Sequence, residues 1–551
     1  MRCASSFISR CACLLAALLL SAAVHGADGA EPVAWRRTLE RIAPSVVSIQ
    51  VDGTRAFDTE WNESSQASGF VVDAERGLIL TNRHVVTAGP VRAAALFNNQ
   101  EEVELIPVYR DPVHDFGFYR YDPRALKYIR PQALPLYPAG AELGREIRVI
   151  GNDDGEQLSI LSGTLARLRR EAPDYGRGKY NDFNTFYLQA ASSTSGGSSG
   201  SPVIDIDGRV IALNAGASSQ AASSFFLPLD RVQRALRLLQ AGQPVTRGTL
   251  GAIFKYTAFD ELRRLGLREP SERAVRVRFP DGIGMLVVSE VLAGSTADGK
   301  LQVGDVVVRV DGDYLTDFAP LDAVLDERIG KPVELTVERG GRELLFALPV
   351  QDLQQLSPDE YLQFGDAVVN NLSYQQARHF NRAAEGLFIA NPGFVFAAAG
   401  IPRGSVIVGI EGEPVRQLDD LERLLAGKAD QQRFTVRFIT LEEPGSSKVR
   451  VARMDRRWFP AVRCRRDDRL GEWPCRTLAA GPEPLPPEGG VARFVEQPDA
   501  RLRKIAPALV LVNFDMPYTV SGVSEQHYYG TGLVVDAKRG YNVADIPLLL
   551  T

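Results

Sequence analysis

The sequence predicts a multidomain protein: an all-β domain, then two α+β modules, then the start of a second copy of the first domain. Short β-branched and apolar runs cut by Gly, Asp and Asn turns, from about Val33 to Gly242, predict the β-domain. Two internal repeats predict the rest. Because the chain has 551 residues, it is too long for one hydrophobic core, and about three to four domains are expected.

The composition is that of an ordinary soluble globular protein. Hydrophobic residues make up 45% and charged residues 24% of the chain. The formal net charge of −5 is too small to indicate a polyanionic partner, so no nucleic acid is expected to bind. The sequence carries no motif for a metal ion or a nucleotide, and no cofactor is expected.

The N-terminus predicts an export signal. Arg2 and Arg10 precede an apolar run over Cys11–Val24, and small residues around Gly26 offer a cleavage site. The run is shorter than the about 20 residues that cross a bilayer. We therefore expect residues 1–26 to be removed and the mature protein to be exported without stable membrane insertion.

Cysteine usage agrees with an oxidising compartment. Of five cysteines, only Cys464 and Cys475 follow the predicted signal, and they bracket a polar, turn-like segment. A local disulfide between them is expected, worth about 2–3 kcal/mol for so short a loop, with two free thiols as the alternative. Two cysteines alone do not make a zinc site.

The first repeat defines the α+β modules. The stretch LQVGDVVVRVDGDYL, which begins at Leu301, returns as IPRGSVIVGIEGEPV from Ile401, and its turn glycines align without a gap. A helix-like segment and a further strand follow each copy, LDAVLDERIG in the first and LDDLERLLAG in the second. Two homologous modules therefore follow the β-domain.

The second repeat restarts the first domain. LERIAPSVVSIQV from Leu39 returns as LRKIAPALVLVNF from Leu502, and ASGFVVDAERG from Ala67 returns at the same separation as GTGLVVDAKRG from Gly530. A segment of about 50 residues is too short to bury a barrel core. The sequence is therefore expected to be truncated, or read in a wrong frame, near its end.

Three loop motifs carry the candidate chemistry. LTNRHVV contains His84, RDPVHDFGFYR contains Asp115, and SSTSGGSSGSPV contains Ser199. A serine hydroxyl needs a base within hydrogen-bond reach, imidazole has the right pKa range, and a carboxylate can orient the imidazole. Flanking glycines let backbone N–H groups approach an oxyanion. His, Asp and Ser in this chain order are typical of a nucleophilic triad.

Each motif also has a competing interpretation. By composition the serine-rich stretch is a flexible linker, but a hairpin-like run with its turn at Asp207 follows it directly, which places it inside the β-domain. Ser198 and Ser201 are alternatives for the nucleophile. His114 competes for the role of base and Asp111 for that of acid, although the Asp-Pro pair favours a turn there.

These three motifs resemble the signatures of the HtrA/DegP family of trypsin-fold serine proteases, and most closely its fungal subgroup with a protease–PDZ–PDZ–protease layout. In the family's usual motif, G-N-S-G-G-P, Ser198 stands for the Asn and Ser201 for the second Gly. The resemblance implies that Ser199 is the nucleophile, with His84 as base and Asp115 as orienting acid. The N–H groups of Gly197 and Ser199 would form the oxyanion hole.

The resemblance also implies a layout for the whole chain. RGTLGAIF is similar to the loop of PDZ domains that receives a peptide carboxylate, with Leu250, Gly251 and Ala252 at its centre. The implied regions are the signal peptide (1–26), a trypsin-like double β-barrel (27–246), PDZ domain 1 (247–352), PDZ domain 2 (353–456), a linker with the Cys pair (457–500) and a truncated, degenerate protease start (501–551).

The function implied is that of an ATP-independent serine endoprotease in the periplasm, with small aliphatic P1 residues preferred. Its substrates would be unfolded or misfolded exported proteins, captured as peptides by the PDZ domains, and a homo-oligomer, a trimer in this family, is expected. Two alternatives stay open: a proteolytically dormant peptide-binding chaperone or scaffold, and a processing protease with a single client.

Overall fold

The computed structural model describes residues 30–152, 158–191, 196–218, 223–483, 496–515 and 527–545. The predicted signal peptide, 1–26, lies outside the described residues. The chain forms two compact units. Of the described residues, the first unit comprises those up to Arg55, in Asn62–Ser357 and in Asp467–Glu472, and the second comprises those in Ala56–Trp61, in Pro358–Arg466 and from Trp473 onward.

The first unit begins with two closed antiparallel barrels of six strands each, which confirms the predicted double barrel. The strands of the first barrel are β1 (Val46–Gly53), β2 (Ser64–Asp73), β3 (Leu78–Thr81), β4 (Val91–Phe97), β5 (Glu102–Arg110) and β6 (Gly117–Arg120). Those of the second are β7 (Glu146–Gly151), β8 (Ser159–Glu171), β9 (Phe186–Ala190), β10 (Pro202–Ile204), β11 (Val210–Ser218) and β12 (Ser223–Pro228). The strand orders are β1-β2-β3-β6-β5-β4 and β10-β11-β12-β9-β8-β7.

Burial on both faces explains the apolar runs of the central strands. Ile49 and Ile79 point into the first barrel, where they join its internal core. Phe70 and Leu80 point the other way, into a second core that is shared with β10–β12 of the other barrel. Strands such as β3 are therefore buried at every position.

Two longer helices flank the barrels, and a few single turns connect their strands. They are α1 (Ala30–Ile42), α2 (Arg83–Val86), α3 (Asp230–Gln240) and 3₁₀ turns at Ala43–Ser45, Pro123–Ala125 and Pro138–Gly140. The expectation of strands from Val33 is wrong, because α1 occupies that position. Trp35 and Ile42 lie on one face of this helix and pack into the core between the barrels.

The first α+β module closes the first unit. Its strands are β13 (Gly248–Thr249), β14 (Ala252–Ala258), β15 (Gly284–Val291), β16 (Val306–Val310), β17 (Asp313–Tyr314), β18 (Pro332–Arg339), β19 (Arg342–Pro349) and β20 (Gln351–Asp352). Its helices are α4 (Phe259–Leu265), α5 (Glu269–Arg278) and α6 (Phe318–Glu327). In the sheet order β14-β15-β16-β18-β19, β14 is an edge strand, and the β13–β20 pair joins the two ends of the module.

The second α+β module has the same order of central strands with an extended sheet, but its helices before the repeat are placed differently. Its strands are β21 (Glu360–Phe364), β22 (Ala367–Asn371), β23 (Leu387–Asn391), β24 (Val406–Ile410), β25 (Glu413–Pro414), β26 (Arg433–Ile439), β27 (Ser447–Arg453), β28 (Val462–Arg465) and β29 (Cys475–Thr477). Its helices are α7 (Tyr374–His379), α8 (Gly393–Ala397) and α9 (Leu418–Ala426). The helix predicted after each repeat is present in both modules, as α6 and α9.

The sheet of the second module continues past the strand that corresponds to β14. Its order is β27-β26-β24-β23-β22-β21-β28-β29, so β21 covers the outer edge of β22. A disulfide joins Cys464 on β28 to Cys475 on β29, at directly paired positions of the last two strands.

The C-terminal segment repeats the local structure that starts the first barrel. Helix α10 (Ala500–Ile505), a 3₁₀ turn (Ala506–Ala508), β30 (Leu509–Asp515), β31 (His527–Asp536) and β32 (Tyr541–Asp545) follow in that order. Leu509 pairs with Leu533 as Val46 pairs with Phe70 in the first barrel. Leu509 is 46% exposed, whereas Val46 is 3% exposed. That this segment is an incomplete second protease domain stays a prediction.

Within the described ranges, no helix combines the length and the apolar character that crossing a bilayer requires.

Candidate active site

Strand pairing in the first barrel brings two of the predicted site residues together. Thr81, the last residue of β3, pairs with Gly117, the first residue of β6. His84 follows β3 in the short helix α2, and Asp115 precedes β6. Both therefore lie at the same edge of the barrel, although 31 residues separate them in the chain.

His84 and Asp115 are joined by side-chain hydrogen bonds. The Nδ1 atom of His84 lies 2.9 Å from Oδ2 and 3.0 Å from Oδ1 of Asp115, and its backbone N–H donates to Oδ1 at 3.1 Å. An ionised carboxylate only accepts, so Nδ1 carries the proton and Nε2 is left as the basic nitrogen. The side chain of His84 is 41% exposed, against 7% for that of Asp115.

The charge state of Asp115 suits this arrangement. Burial alone raises the pKa of its carboxyl group, but His84 and the neighbouring guanidinium of Arg83 outweigh burial and lower that pKa from its ordinary value. The Nδ2 group of Asn82 also donates to the Asp115 carbonyl at 2.9 Å. Asp115 is thus an anion that is held in place beside the imidazole ring.

The two rival residues in the same loop have other partners. Asp111 is buried and accepts hydrogen bonds from the backbone N–H groups of Val113 and His114, as expected for a turn. His114 is also buried, with Nε2 at 3.2 Å from the carbonyl of Phe183. Burial, aided by the charge of Arg247, lowers the pKa of His114 to about 3. Neither side chain faces solvent as an accessible acid or base would.

The serine-rich loop shows which of its hydroxyl groups is accessible. Ser198 is 2% exposed and its Oγ accepts from Nδ2 of Asn214 at 3.2 Å. Ser201 is fully buried and its Oγ packs against Gly151. Ser199, between them, keeps partial exposure. The geometry favours Ser199 over its two rivals, and its role as nucleophile stays a prediction.

Close packing places this loop of the second barrel against the first barrel. The backbone N–H of Ser68 on β2 donates to the Ser199 carbonyl at 2.8 Å. Gly200 has φ +84°, and a Cβ added there would meet the Ser68 carbonyl at 2.1 Å and Oγ1 of Thr81 at 2.3 Å. Thr81 lies three positions before His84 in the chain. The serine-rich loop therefore reaches the edge of the first barrel at which the His84–Asp115 pair lies.

The predicted oxyanion donors have a suitable backbone. Gly197 adopts φ +90°, which favours glycine, and its carbonyl accepts from Oγ of Ser68 at 2.9 Å. Among the described residues, the N–H groups of Gly197 and Ser199 have no hydrogen-bond acceptor. Two backbone donors without a partner suit an oxyanion hole, and this assignment also stays a prediction.

The loop predicted to bind a peptide carboxylate lies at the start of β14. Gly251 has φ +73°, and its N–H donates to Oγ1 of Thr249 at 3.0 Å. The carbonyls of Leu250 and Gly251 accept from the backbone N–H groups of Ala297 and Leu292. The side chain of Leu250 is buried in the core of the module. The sheet edge beside this loop has no further strand in the described structure.

Sequence reasoning missed the residues that hold the predicted triad in place. Asn82, Ser68 and Asn214 were not expected to contribute, although Asn82 lies two positions before His84 in the motif LTNRHVV. Asp182 was missed as well, although its carboxylate accepts the backbone N–H of Asp115 at 2.8 Å. Its surroundings, YNDFNTF, carry no pattern that would single it out.

Three family descriptions match this chain. Residues 67–213 match a trypsin-like peptidase domain, residues 261–338 a PDZ domain and residues 355–430 a PDZ-like domain. The first and second α+β modules are therefore called the first and second PDZ modules below.

Curated relatives match most of this chain. The pro-apoptotic serine protease NMA111 of Eremothecium gossypii is 42% identical over 518 residues, covering 93% of this chain and 53% of the relative. Protease Do-like 7 of Arabidopsis thaliana is 48% identical over 452 residues, covering 80% of this chain and 41% of the relative. The chain thus spans about half the length of these relatives.

Among solved structures, the HtrA-type protease AlgW with decapeptide aligns at a TM-score of 0.43 and 20% identity, covering 58% of this chain and 98% of that one. The matched domains show a trypsin-like peptidase domain followed by two PDZ-type domains, and the curated relatives that match this chain are named as proteases.

Proposed function

We propose that the chain is a serine endopeptidase that hydrolyses peptide bonds in unfolded or misfolded exported proteins, without ATP. The observation that carries this proposal is the hydrogen-bonded pair of His84 and Asp115, whose imidazole is partly exposed. The loop of Ser199 packs against Ser68 and Thr81 of the same barrel. A hydrogen-bonded, solvent-facing imidazole with an anionic partner is what a hydroxyl nucleophile requires.

The first half of the reaction forms an acyl-enzyme. Oγ of Ser199 attacks the scissile carbonyl carbon while Nε2 of His84 takes the hydroxyl proton. The carbonyl oxygen becomes an oxyanion, which accepts hydrogen bonds from the N–H groups of Gly197 and Ser199. When the intermediate collapses, the C–N bond breaks and the imidazolium of His84 gives its proton to the leaving amine.

The second half repeats these steps with water. Nε2 of His84 takes a proton from water as the oxygen attacks the acyl carbon. Collapse of the second tetrahedral intermediate breaks the ester bond, and the proton returns to Oγ of Ser199. Asp115 keeps its negative charge throughout and stabilises the imidazolium that forms in each half.

We infer that peptide capture belongs to the first PDZ module. A PDZ domain binds an extended chain by adding it to a sheet edge, and β14 is an edge strand beside the loop of Leu250, Gly251 and Ala252. In the second PDZ module β21 pairs along the corresponding strand β22, so the same edge is filled by the chain itself. This refines the expectation that both modules capture peptides.

Labelling with a fluorophosphonate tests the enzyme proposal. The full chain and its Ser199→Ala variant are incubated with the probe, and both are then assayed on casein and on a natively folded protein. Labelling and casein cleavage by the first protein alone support the endopeptidase. An absence of labelling in both supports a dormant chaperone or scaffold, and labelling without casein cleavage supports a processing protease with one client.

The location and assembly are part of the same proposal. Residues 1–26 have the pattern of an export signal, so we propose a periplasmic protein, assembled as a homo-oligomer. N-terminal sequencing of the protein from fractionated cells should show a mature chain that begins after Gly26 in the periplasmic fraction. Light scattering of the purified protein gives its oligomeric state, and a monomer in a cytoplasmic fraction would contradict both statements.

A further inference from the structure

A second acidic side chain, that of Asp182, is hydrogen-bonded to the backbone of the predicted orienting acid. Oδ2 of Asp182 accepts the backbone N–H of Asp115 at 2.8 Å, and the same oxygen accepts the hydroxyl of Tyr187 at 2.8 Å. On the other side, Asn82 donates to the Asp115 carbonyl at 2.9 Å. Side chains therefore hold the backbone of Asp115 at both its N–H and its carbonyl group.

The position of Asp115 needs this support because it lies in a loop. Its two oxygens must meet both the backbone N–H and Nδ1 of His84, so a small shift of the backbone would break the pair. Earlier in the loop, the carboxylate of Asp111 holds the backbone N–H of His114. At Asp115 itself, the acceptor of the backbone N–H comes from a distant segment, that of Asp182.

The segment that carries Asp182 is anchored at several further points. The carbonyl of Phe183 lies 3.2 Å from Nε2 of the buried His114. Oδ1 of Asn184 accepts the backbone N–H of Phe254, on β14 of the first PDZ module, at 2.8 Å. Tyr187 is buried in the core between the barrels. The residues that follow Asp182 thus hold its segment in place by hydrogen bonds and packing.

The local charges favour one anion in this pair of carboxylates. Burial, and then the negative charge of Asp115, raise the pKa of Asp182 to about 8. At neutral pH Asp182 therefore holds a proton, and the negative charge stays on Asp115, beside the imidazole. The ionisable and charged groups that face Asp182 are those of Asp115, Arg83, Tyr175, Tyr180 and Tyr187.

We propose that Asp182 is a positioning residue, which fixes the Asp115 backbone so that the Asp115 carboxylate meets His84. The proposal rests on the proposed function, because it assigns a role in the same triad. The hydrogen bonds of Asp182 in the described structure go to Asp115 and Tyr187, so its effect on the imidazole passes through Asp115.

Three variants of the full chain separate this role from a merely structural one. Asp182→Ala removes the acceptor, Asp182→Asn keeps an oxygen acceptor without an ionisable group, and Asp174→Ala changes an exposed aspartate of the same loop as a matched control. Peptide hydrolysis is measured per active site, with the sites counted by fluorophosphonate titration, so that misfolded protein does not enter kcat.

We expect Asp182→Ala to lower kcat by about 10- to 100-fold with KM little changed, because a misplaced catalytic group costs rate rather than binding. The acid limb of its pH–rate profile should move to lower pH, since a displaced Asp115 stabilises the protonated imidazole less. Asp182→Asn and Asp174→Ala should both match the unmodified chain in kcat and in the acid limb.

A spectroscopic measurement tests the proposal in a variant that does not hydrolyse substrate. The Nδ1 proton of His84, hydrogen-bonded to Asp115, is followed as a low-field proton NMR resonance in the Ser199→Ala background. Asp182→Ala should shift or abolish it, and Asp182→Asn should retain it. If Asp182→Ala folds poorly, Asp182→Leu, which fills the space without an acceptor, takes its place. A resonance and an acid limb unchanged in Asp182→Ala would overturn the proposal.

The outcomes keep the two proposals apart. If the unmodified chain and Ser199→Ala are equally unlabelled by the fluorophosphonate, the proposed function fails. The low-field resonance then still shows whether Asp182 positions Asp115 against His84.

Discussion

Asn184 of the peptidase domain accepts a hydrogen bond, through Oδ1, from the backbone N–H of Phe254 on the edge strand of the first PDZ module. Two residues further along, the ring of Phe186 lies 5.3 Å from that of Tyr256 on β14 and 4.9 Å from that of Phe318 on α6. The segment that carries Asn184 and Phe186 therefore lies at the edge of β14, where a captured peptide would add as a strand.

Shortening Phe186 should open this edge. In Phe186→Ala the aromatic contacts with Tyr256 and Phe318 are lost, so we expect tighter binding of a C-terminal peptide to the full chain and a loss of stability of about 1–3 kcal/mol. Fluorescence anisotropy with a labelled peptide measures the first effect and thermal unfolding the second. Leu345→Ala, at an exposed position of β19, is the control, and equal peptide affinity in both variants would contradict the prediction.

Two glycines of the serine loop should respond differently to the same change. At Gly200 a methyl group would meet the Ser68 carbonyl and Thr81, and the residue has φ +84°, so Gly200→Ala should displace the loop and abolish fluorophosphonate labelling. At Gly196 a methyl group meets nothing within 4 Å, so Gly196→Ala should be labelled normally. The labelling rates of the two variants are measured side by side. Normal labelling of Gly200→Ala would mean that the serine loop does not pack against Ser68 and Thr81.

The sequence predicted the double barrel and the repeated modules because both depend on local patterns. Turn-bounded apolar runs define the barrel strands, and aligned glycines, such as Gly304 and Gly404, define the modules. Helix α1 was missed although its buried positions, Trp35, Thr38 and Ile42, recur at helical spacing, because the helix runs closely into the β-branched residues of β1.

The parts of the site that could not be predicted depend on contacts between distant segments. The motifs containing His84 and Asp115 are recognisable in the sequence, and the structure pairs them. The filled edge of the second PDZ module depends on β21 pairing with β22 and with β28, which no periodicity indicates. The bond from Asp115 to Asp182 spans 67 residues, so only the fold reveals it.

A buried cation joins the peptidase domain to the first PDZ module. Arg247 lies within 3.4–3.8 Å of the carboxylates of Asp111, Asp322 and Asp326. Arg247→Met removes the arginine that pairs with Asp111 and Asp322, whereas Asp326 keeps Arg231 and Arg234. We therefore expect a loss of about 3–5 kcal/mol at neutral pH, measured by denaturant unfolding. Arg124→Met, at a side chain that is 90% exposed, is the control and should cost little.

The loss of unfolding free energy caused by Arg247→Met should be smaller at acid pH. Burial already raises the pKa of Asp322 to about 6, despite the nearby guanidinium, and removal of Arg247 raises it further. A raised pKa in the folded state means that the penalty is absent when the carboxyl group is protonated and grows as pH rises. The variant should therefore lose less unfolding free energy at pH 5 than at pH 8. A loss that does not depend on pH would show that the charges do not cause it.

Asp182→Asn should change the pH dependence of stability in the opposite sense. The pKa of Asp182, near 8 in the folded state, lies above its unfolded value, so the stabilisation it contributes is present at low pH and is lost as pH rises towards 8. An amide does not titrate, so the stability of the variant relative to the unmodified chain should increase from pH 5 to pH 8. Denaturant unfolding of both proteins from pH 5 to pH 8, with Asp174→Asn as control, measures this difference in unfolding free energy. A difference that stays constant with pH would contradict the prediction.

Mass spectrometry of the fluorophosphonate-treated full chain asks directly whether the hydroxyl of Ser199 is the nucleophile that His84 and Asp115 serve. We expect one adduct, on Ser199, which is absent in Ser199→Ala and forms much more slowly in His84→Ala. An adduct on Ser198 or Ser201, or labelling that does not depend on His84, would contradict it.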